Sequence, residues 1–187
     1  RVPTIIKSIN DNVPNPEIIV VGGEAISGVK HIPFNEKTKP AWITLKKNII
    51  TREATNEHVV YLHDYIVITE GWYEGFLKFG SDWDVCMNVI TNQDGTRYRD
   101  WVTWDGPEGQ LRLVDYSYTK TQHMYVSGAY WVAKKSFMTE NPLDERRSWG
   151  QGEDVEWSKR VRNDWKYAMN PHSEVKMLKY KERVAHV

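Results

Sequence analysis

"HVVYLHDYIVI", residues 58–68, is the stretch whose reading decides the fold. Val59, Val60, Leu62, Ile66, Val67 and Ile68 are apolar and mostly β-branched, and with Tyr61 and Tyr65 they give the profile of a buried strand. His63 and Asp64 interrupt that profile. An ionised carboxylate in apolar surroundings is costly, so Asp64 must be paired, bound to a metal, or set at an exposed strand end. The structural alternative is a hydrogen-bonded His–Asp pair. The functional alternative is that the strand's carboxyl end projects Asp64 into a crevice, where open α/β sheets bind ligands and a carboxylate suits Mg²⁺ or Mn²⁺.

Outward from this stretch the pattern alternates. "PEIIVV" (16–21), bounded by Pro16 and Gly22-Gly23, reads as a short strand covered on both faces, and "VKHIPF" (29–34) as a second one. "RVPTIIKSIND" (1–11) suits a helix with Ile5, Ile6 and Ile9 on one side. "AWITLKKNIITREAT" (41–55) places Trp42, Leu45, Ile49 and Ala54 at helical spacing, which predicts an apolar inward face with Lys46, Lys47, Arg52 and Glu53 between. "EGWYEGFLKFG" (70–80) predicts a helix closed by Gly80, and "WDVCMNVIT" (83–91) a strand. After a polar stretch, "MYVSGAYWVAKKSFM" (124–138) reads as strand, glycine break, strand and short helix, and "EDVEWSKRVRNDWKY" (153–167) as a helix. Strands alternating with helices argue for an α/β fold.

The chain has 187 residues, 40% of them hydrophobic, with nine Trp, enough for one domain with a substantial core. Lys+Arg and Asp+Glu both number 25, so no general attraction to nucleic acid or membrane is indicated. The single cysteine, Cys86, excludes an internal disulfide and a cysteine-rich zinc site, fits a small buried residue, and agrees with a reducing, cytoplasmic setting. No apolar run reaches transmembrane length and no signal-peptide pattern opens the chain. Its abrupt start suggests a soluble domain of a longer protein.

Four further clusters carry candidate chemistry. In "SWGQGEDVEWSKR" (148–160), Glu153 and Asp154 fall in a helix's first turn, where carboxylates also compensate the dipole. With Trp149 beside the Gly-rich turn they equally fit a sugar site, the aromatic covering a pyranose face and a carboxylate taking a hydroxyl proton. "TLKKN" (44–48) reads as solvated charge at Lys46, with Lys47 or Asn48 available to a diphosphate. In "YVSGAYWV" (125–132), Gly128 is either a bulge or a point where a ligand approaches the backbone. His172, after an Asn-Pro turn, gains interest as a ligand only beside a metal. Arg97, Arg99 and Asp100 read as a salt-bridged loop.

In their order, "PEIIVVGG", "KKNIITREATNEHVVYLHDYIVI", "YVSGAYWVAKKSF" and "WGQGEDVEWSKRV" resemble the GT-A fold of nucleotide-sugar-dependent glycosyltransferases, closest to the family 2 type. The resemblance implies an α/β, Rossmann-like, mixed and mostly parallel sheet flanked by helices, in a single domain with a nucleotide-sugar-binding half (1–91) and an acceptor-binding half (92–187). It puts Asp64 at the central acid of a degenerate DxD motif, with His63 and Tyr65 where flanking acids are common, holding Mn²⁺ or Mg²⁺ with help from His172. Gly22 and Gly23 stand where nucleotide-binding acids usually sit, leaving Glu24 as the substitute. Asp154 matches the general base of inverting relatives, Glu153 would bind acceptor hydroxyls, and Trp149 would line the sugar pocket. The implied reaction moves a sugar from a nucleoside-diphosphate sugar, UDP-sugar favoured, to a glycan or other hydroxyl acceptor. Two alternatives are a non-catalytic carbohydrate-binding domain and a sugar-nucleotide nucleotidyltransferase. The latter needs a Gly-rich phosphate loop near the start, which this sequence lacks.

Overall fold

The structure, a computed structural model, describes residues 1–182 and the backbone of 185–186. The chain opens with α1 (Val2–Asn12), Pro in its first turn and Ile5 buried, then β1 (Ile19–Val21) and β2 (Lys30–Ile32), which pair in parallel. α2 (Ile43–Glu53) follows. Residues 58–68 are not one strand but two, β3 (His58–Leu62) and β4 (Ile66–Ile68), separated by a turn at His63, Asp64 and Tyr65. α3 (Trp72–Phe79) and β5 (Val85–Thr91) follow as the sequence predicts, and Cys86 is fully buried in β5.

A second sheet is built from β6 (Val102–Thr103), β7 (Arg112–Leu113), β8 (Met124–Tyr125) and β11 (Ala185–His186). The chain then returns as β9 (Tyr130–Lys134), α4 (Lys135–Glu140), α5 (Glu153–Val161) and β10 (Tyr167–Met177). The main sheet has the order β3-β9-β5-β10-β4. The fold is thus mixed α/β with helices against the sheet, but the expected mostly parallel sheet is corrected: only β5 and β10 run parallel, and the other three pairings are antiparallel. The reason lies in the connection. The second sheet is entered from the end of β5, so the returning β9 runs back alongside it without a crossover helix.

β3 and β4 are the two opposite edges of this sheet, yet three residues join them. Four Cα steps reach at most about 14 Å, whereas the edges of a flat five-stranded sheet stand about 19 Å apart. The sheet therefore curls until its edges approach, and His63–Tyr65 closes the seam. A run of large aromatics fills the interior: Trp131 stacks on Trp157 at 6.0 Å and lies 4.8 Å from Tyr61.

α2 reverses the face predicted for it. Thr44, Lys47, Asn48 and Thr51 are its buried residues, at i, i+3, i+4 and i+7, while Trp42, Leu45 and Ile49 are only partly covered. Each of these four polar side chains has a partner inside. Thr44 donates to Arg147 O at 2.7 Å, and Thr51 bonds Tyr61 Oη at 2.7 Å. Asn48 accepts from Leu143 N–H at 3.0 Å and donates to Leu143 O and Glu145 Oε1. Thr44 and Asn48 thus tether the 143–148 loop that leads to α5, while Lys47 donates to Gly128 O.

Candidate functional site

Three backbone segments meet at the sheet's carboxyl-end seam. The His63–Tyr65 turn is pinned on both sides: His63 N–H donates to Ala129 O at 3.0 Å, and Tyr65 O accepts from Leu178 N–H at 2.8 Å. The Ser127–Ala129 link between β8 and β9 is the second segment. The third is the N-terminus of α5, where Gly152 adopts the left-handed conformation (φ 65°) that turns the chain into the helix. Asp64 has its answer here. It is exposed at the turn, and among the described residues no hydrogen bond or ion pair engages it.

Glu153 and Asp154 open α5, where the helix dipole favours their charge. Asp154 Oδ2 accepts from Gly128 N–H at 2.9 Å and Oδ1 from Val155 N–H at 2.9 Å. A side chain at position 128 would bring Cβ within 2.8 Å of Asp154 Oδ2, so glycine is what lets the two approach. From below, Lys47 Nζ donates to Gly128 O at 2.7 Å and lies 4.1 Å above the Trp131 ring. Burial holds Lys47 down at about 8 despite the opposing pull of Asp154 and Glu153. Burial also raises Glu153 above the usual carboxylate range. Lys47, Gly128 and Asp154 thus form one continuous hydrogen-bonded unit.

Two cavities adjoin at this unit. The small one, 240 Å³, is lined by Gly128, Trp149, Glu153, Asp154, Tyr98 and Arg99, among others. The large one, 1240 Å³, is apolar between α1 and β1 on one side and β3 on the other, and its polar end is formed by Lys47, His63, Asp64, Lys179 and Lys181. His63, Tyr65, Trp149 and Lys181 line both. Trp149 is 62% exposed, a large free aromatic face at the junction.

The cations at this junction are crowded. Lys181 Nζ donates to Tyr65 Oη at 2.9 Å and lies 4.7 Å from that ring's centroid, and Lys179 Nζ lies 3.8 Å from it. Burial, then repulsion from Lys179 and Arg99, holds Lys181 below the usual lysine range. Burial, then Lys47, Lys181 and Lys179, pushes His63 down to about 2, so its ring is neutral. His63 Nδ1 lies 3.0 Å from Tyr65 Oη, and its Nε2 is buried without a partner. Since Lys181 can only donate to Tyr65 Oη, the arrangement in which Tyr65 donates onward to Nδ1 places the ring proton on Nε2 and leaves that N–H free for a ligand.

Several sequence-predicted residues do not join the site. Asn48 is spent on the 143–148 loop and does not face a diphosphate. Glu24 is exposed and lines neither cavity, although Gly22 and Gly23 line the large one. Lys46 pairs with Glu36 instead of standing solvated. Arg97 pairs with Asp100 at 2.7 Å as expected, but Arg99 lines the small cavity, held at φ 36° with its Nε buried and unpartnered. His172 stands in the middle of β10, beside α3, with Nδ1 3.5 Å from Lys78 Nζ. The β10–β4 register, Met177 opposite Ile66, puts it roughly 15 Å along the strand from the seam.

A divalent cation therefore finds little to hold it. Among the described residues no group of three or more His, Cys, Asp or Glu converges, and Asp64 is the one carboxylate of the turn, at a cavity end it shares with Lys179 and Lys181. The described residues by themselves do not fit a protein-held Mn²⁺ or Mg²⁺. Tyr65, Arg99, Lys179 and Lys181 were not singled out as site residues by the sequence. The basic run "KMLKYK" (176–181) was the one available signal for the last two.

No family model matches the sequence, and no curated protein matches it. The fold does have solved relatives. The structure of GalNAc-T7 with UDP, GalNAc and Mn²⁺ is similar at a TM-score of 0.65 and 16% identity, over 95% of this chain and 40% of that one. The chain thus spans less than half the length of that protein and shares its GT-A glycosyltransferase fold. Among the described residues no helix is long and apolar enough to cross a membrane.

Proposed function

We propose that this chain is a glycosyltransferase domain that moves a sugar from a nucleoside-diphosphate donor, UDP-sugar favoured, to an acceptor hydroxyl with inversion. The observation that carries the reading is the Lys47–Gly128–Asp154 unit at the boundary of two adjoining cavities. One cavity is large enough for a nucleotide, and the other is small, polar and faced by Trp149. The fold shared with a UDP-bound protein agrees with this choice of donor.

In this reading residues 1–91 supply most of the donor side, with Gly22, Gly23 and Lys47 on its wall, and residues 92–187 most of the acceptor side. Trp149 covers the apolar face of a sugar ring, and Glu153 accepts from acceptor hydroxyls. Asp154 keeps free lone pairs beyond its two backbone donors. It removes the proton from the attacking hydroxyl, whose oxygen bonds the anomeric carbon as the bond to the diphosphate oxygen breaks. The Gly128 and Val155 amides fix the carboxylate's orientation, so the base is placed before substrate arrives.

Incubation with UDP-sugars and simple glycoside acceptors, with NMR of the product anomer, tests this. Asp154→Asn keeps an acceptor for the Gly128 amide, so its fold should hold while turnover falls by about 10²–10⁴. Near-normal turnover in that variant would remove Asp154 as the base, and a retained anomer would remove the single-displacement mechanism.

A further inference from the structure

We propose that Lys179, Lys181 and Arg99, with the His63 Nε2–H as an added donor, form a cationic cradle that binds the diphosphate without a divalent metal. This rests on the transferase reading above and specifies how its leaving group is held.

Three observations converge on it. First, the cations gather at one place: Lys179 and Lys181 both sit on the Tyr65 ring, Lys181 lines both cavities, and Arg99 lines the small one. Among the described residues none of the three closes an ion pair. Asp154 and Asp64 face these cations without pairing with them, and Lys179 and Arg99 still hold Lys181 below the usual lysine range, a repulsion that a bound polyanion relieves. Second, the unsatisfied polar atoms are donors. Arg99 Nε is a buried N–H without a partner, as is His63 Nε2 when Tyr65 donates to Nδ1, and such groups complement phosphate oxygens, whereas a metal needs lone pairs. Third, Asp64 is the lone carboxylate of the turn, with His63 and Tyr65 beside it and no histidine from β10 within reach. A dication placed there would stand at a cavity end that Lys179 and Lys181 also line.

The chemistry balances without a metal. As the anomeric C–O bond breaks, its electron pair stays on the diphosphate oxygen. The charge developing there is taken by the ammonium and guanidinium groups through charge-assisted hydrogen bonds, and no proton transfer to the leaving group is needed.

Isothermal titration of UDP in EDTA and in Mn²⁺, and of inorganic pyrophosphate in EDTA, tests the cradle. Both anions are expected to bind in EDTA, with Mn²⁺ changing the UDP affinity less than about threefold. Lys179→Gln and Lys181→Gln should each weaken both by about tenfold, the loss of one charge-assisted contact. Lys181→Arg, which keeps the charge, should recover most of the binding and confirm that the glutamine variants report charge and not misfolding. UDP binding that requires Mn²⁺ overturns the cradle and leaves the transferase reading standing, as does binding unchanged in the glutamine variants. Pyrophosphate binding that depends on the lysines, with no UDP binding in either buffer, keeps the cradle and removes the nucleotide reading. Binding of neither anion overturns both.

Discussion

Replacing Lys47 with methionine sets two opposing energies against each other. The ammonium is 3% exposed, and burial brings its pKa from 10.5 to about 8. That gap corresponds to about 3 kcal/mol by which keeping Lys47 charged at pH 7 weakens the fold. Methionine removes this cost, but it leaves the Gly128 carbonyl unpartnered and deletes the contact with Trp131, together worth about 2–4 kcal/mol. The terms nearly cancel, so K47M should unfold within about 1 kcal/mol of the wild type at pH 7. Activity should not be spared. The peptide that loses its anchor also positions Asp154, and misplacement of about 1 Å costs about 100-fold in turnover. pH separates the cases further. Between the folded value near 8 and the unfolded value near 10.5, the unfolded chain holds more protons, so stability rises with pH across that window. From pH 8 to 9.5 the wild type should gain about 1–2 kcal/mol that K47M does not. Urea unfolding of both proteins at these pH values, paired with the transfer assay, measures each quantity, and their difference isolates this group from other titrations. If K47M shows the same rise, or turns over like the wild type, the account of Lys47 is wrong.

Gly128→Ala should lower turnover at least about tenfold and cost about 1–3 kcal/mol in unfolding free energy, because its Cβ would stand 2.8 Å from Asp154 Oδ2. Wild-type activity in this variant would show that Asp154 tolerates displacement. Trp149→Ala should leave unfolding within about 0.5 kcal/mol, given its exposure, while raising KM for a sugar substrate about tenfold in initial-rate assays. Asn48→Ala should do the reverse, costing about 2–4 kcal/mol in unfolding while UDP affinity by titration stays unchanged, since its contacts all serve the 143–148 loop.

The elements most legible in the sequence were those whose burial follows a simple period. β5 is buried at six of its seven positions and was readable as a strand, and α3 ended at Gly80 as its capping signal required. β10 was missed although it is the longest strand, because Asn170, Pro171 and His172 look like a turn. In the sheet they form an irregularity between Asn170 and Glu174, where the parallel register with β5 shifts and Pro is tolerated. α2 misled for a different reason. Periodicity assigns the apolar stripe to the core, but here the loop before α5 offers carbonyls inward, and polar residues follow those partners. Glu153, Asp154, Gly128 and Trp149 could be singled out because each motif is local. Lys179 and Lys181 could not, since only the long return of β10 brings them onto Tyr65.

The large cavity also bears on how the molecule holds together. Among the described residues β1 pairs only with β2, and β3 only with β9, so the facing edges of β1 and β3 share no ladder across the space between them. The segment from α1 to β2 is attached through α1 against β4 and β1 against α2, by side-chain packing and side-chain hydrogen bonds such as Ser8 and Asn12 to the Ile68 backbone, and not by a strand ladder. Contacts of that kind break piecemeal, whereas a strand ladder breaks as a unit. The segment from α1 to β2 should therefore open at lower free energy than β5 and β10, exposing the wall of the large cavity while the main sheet stays folded.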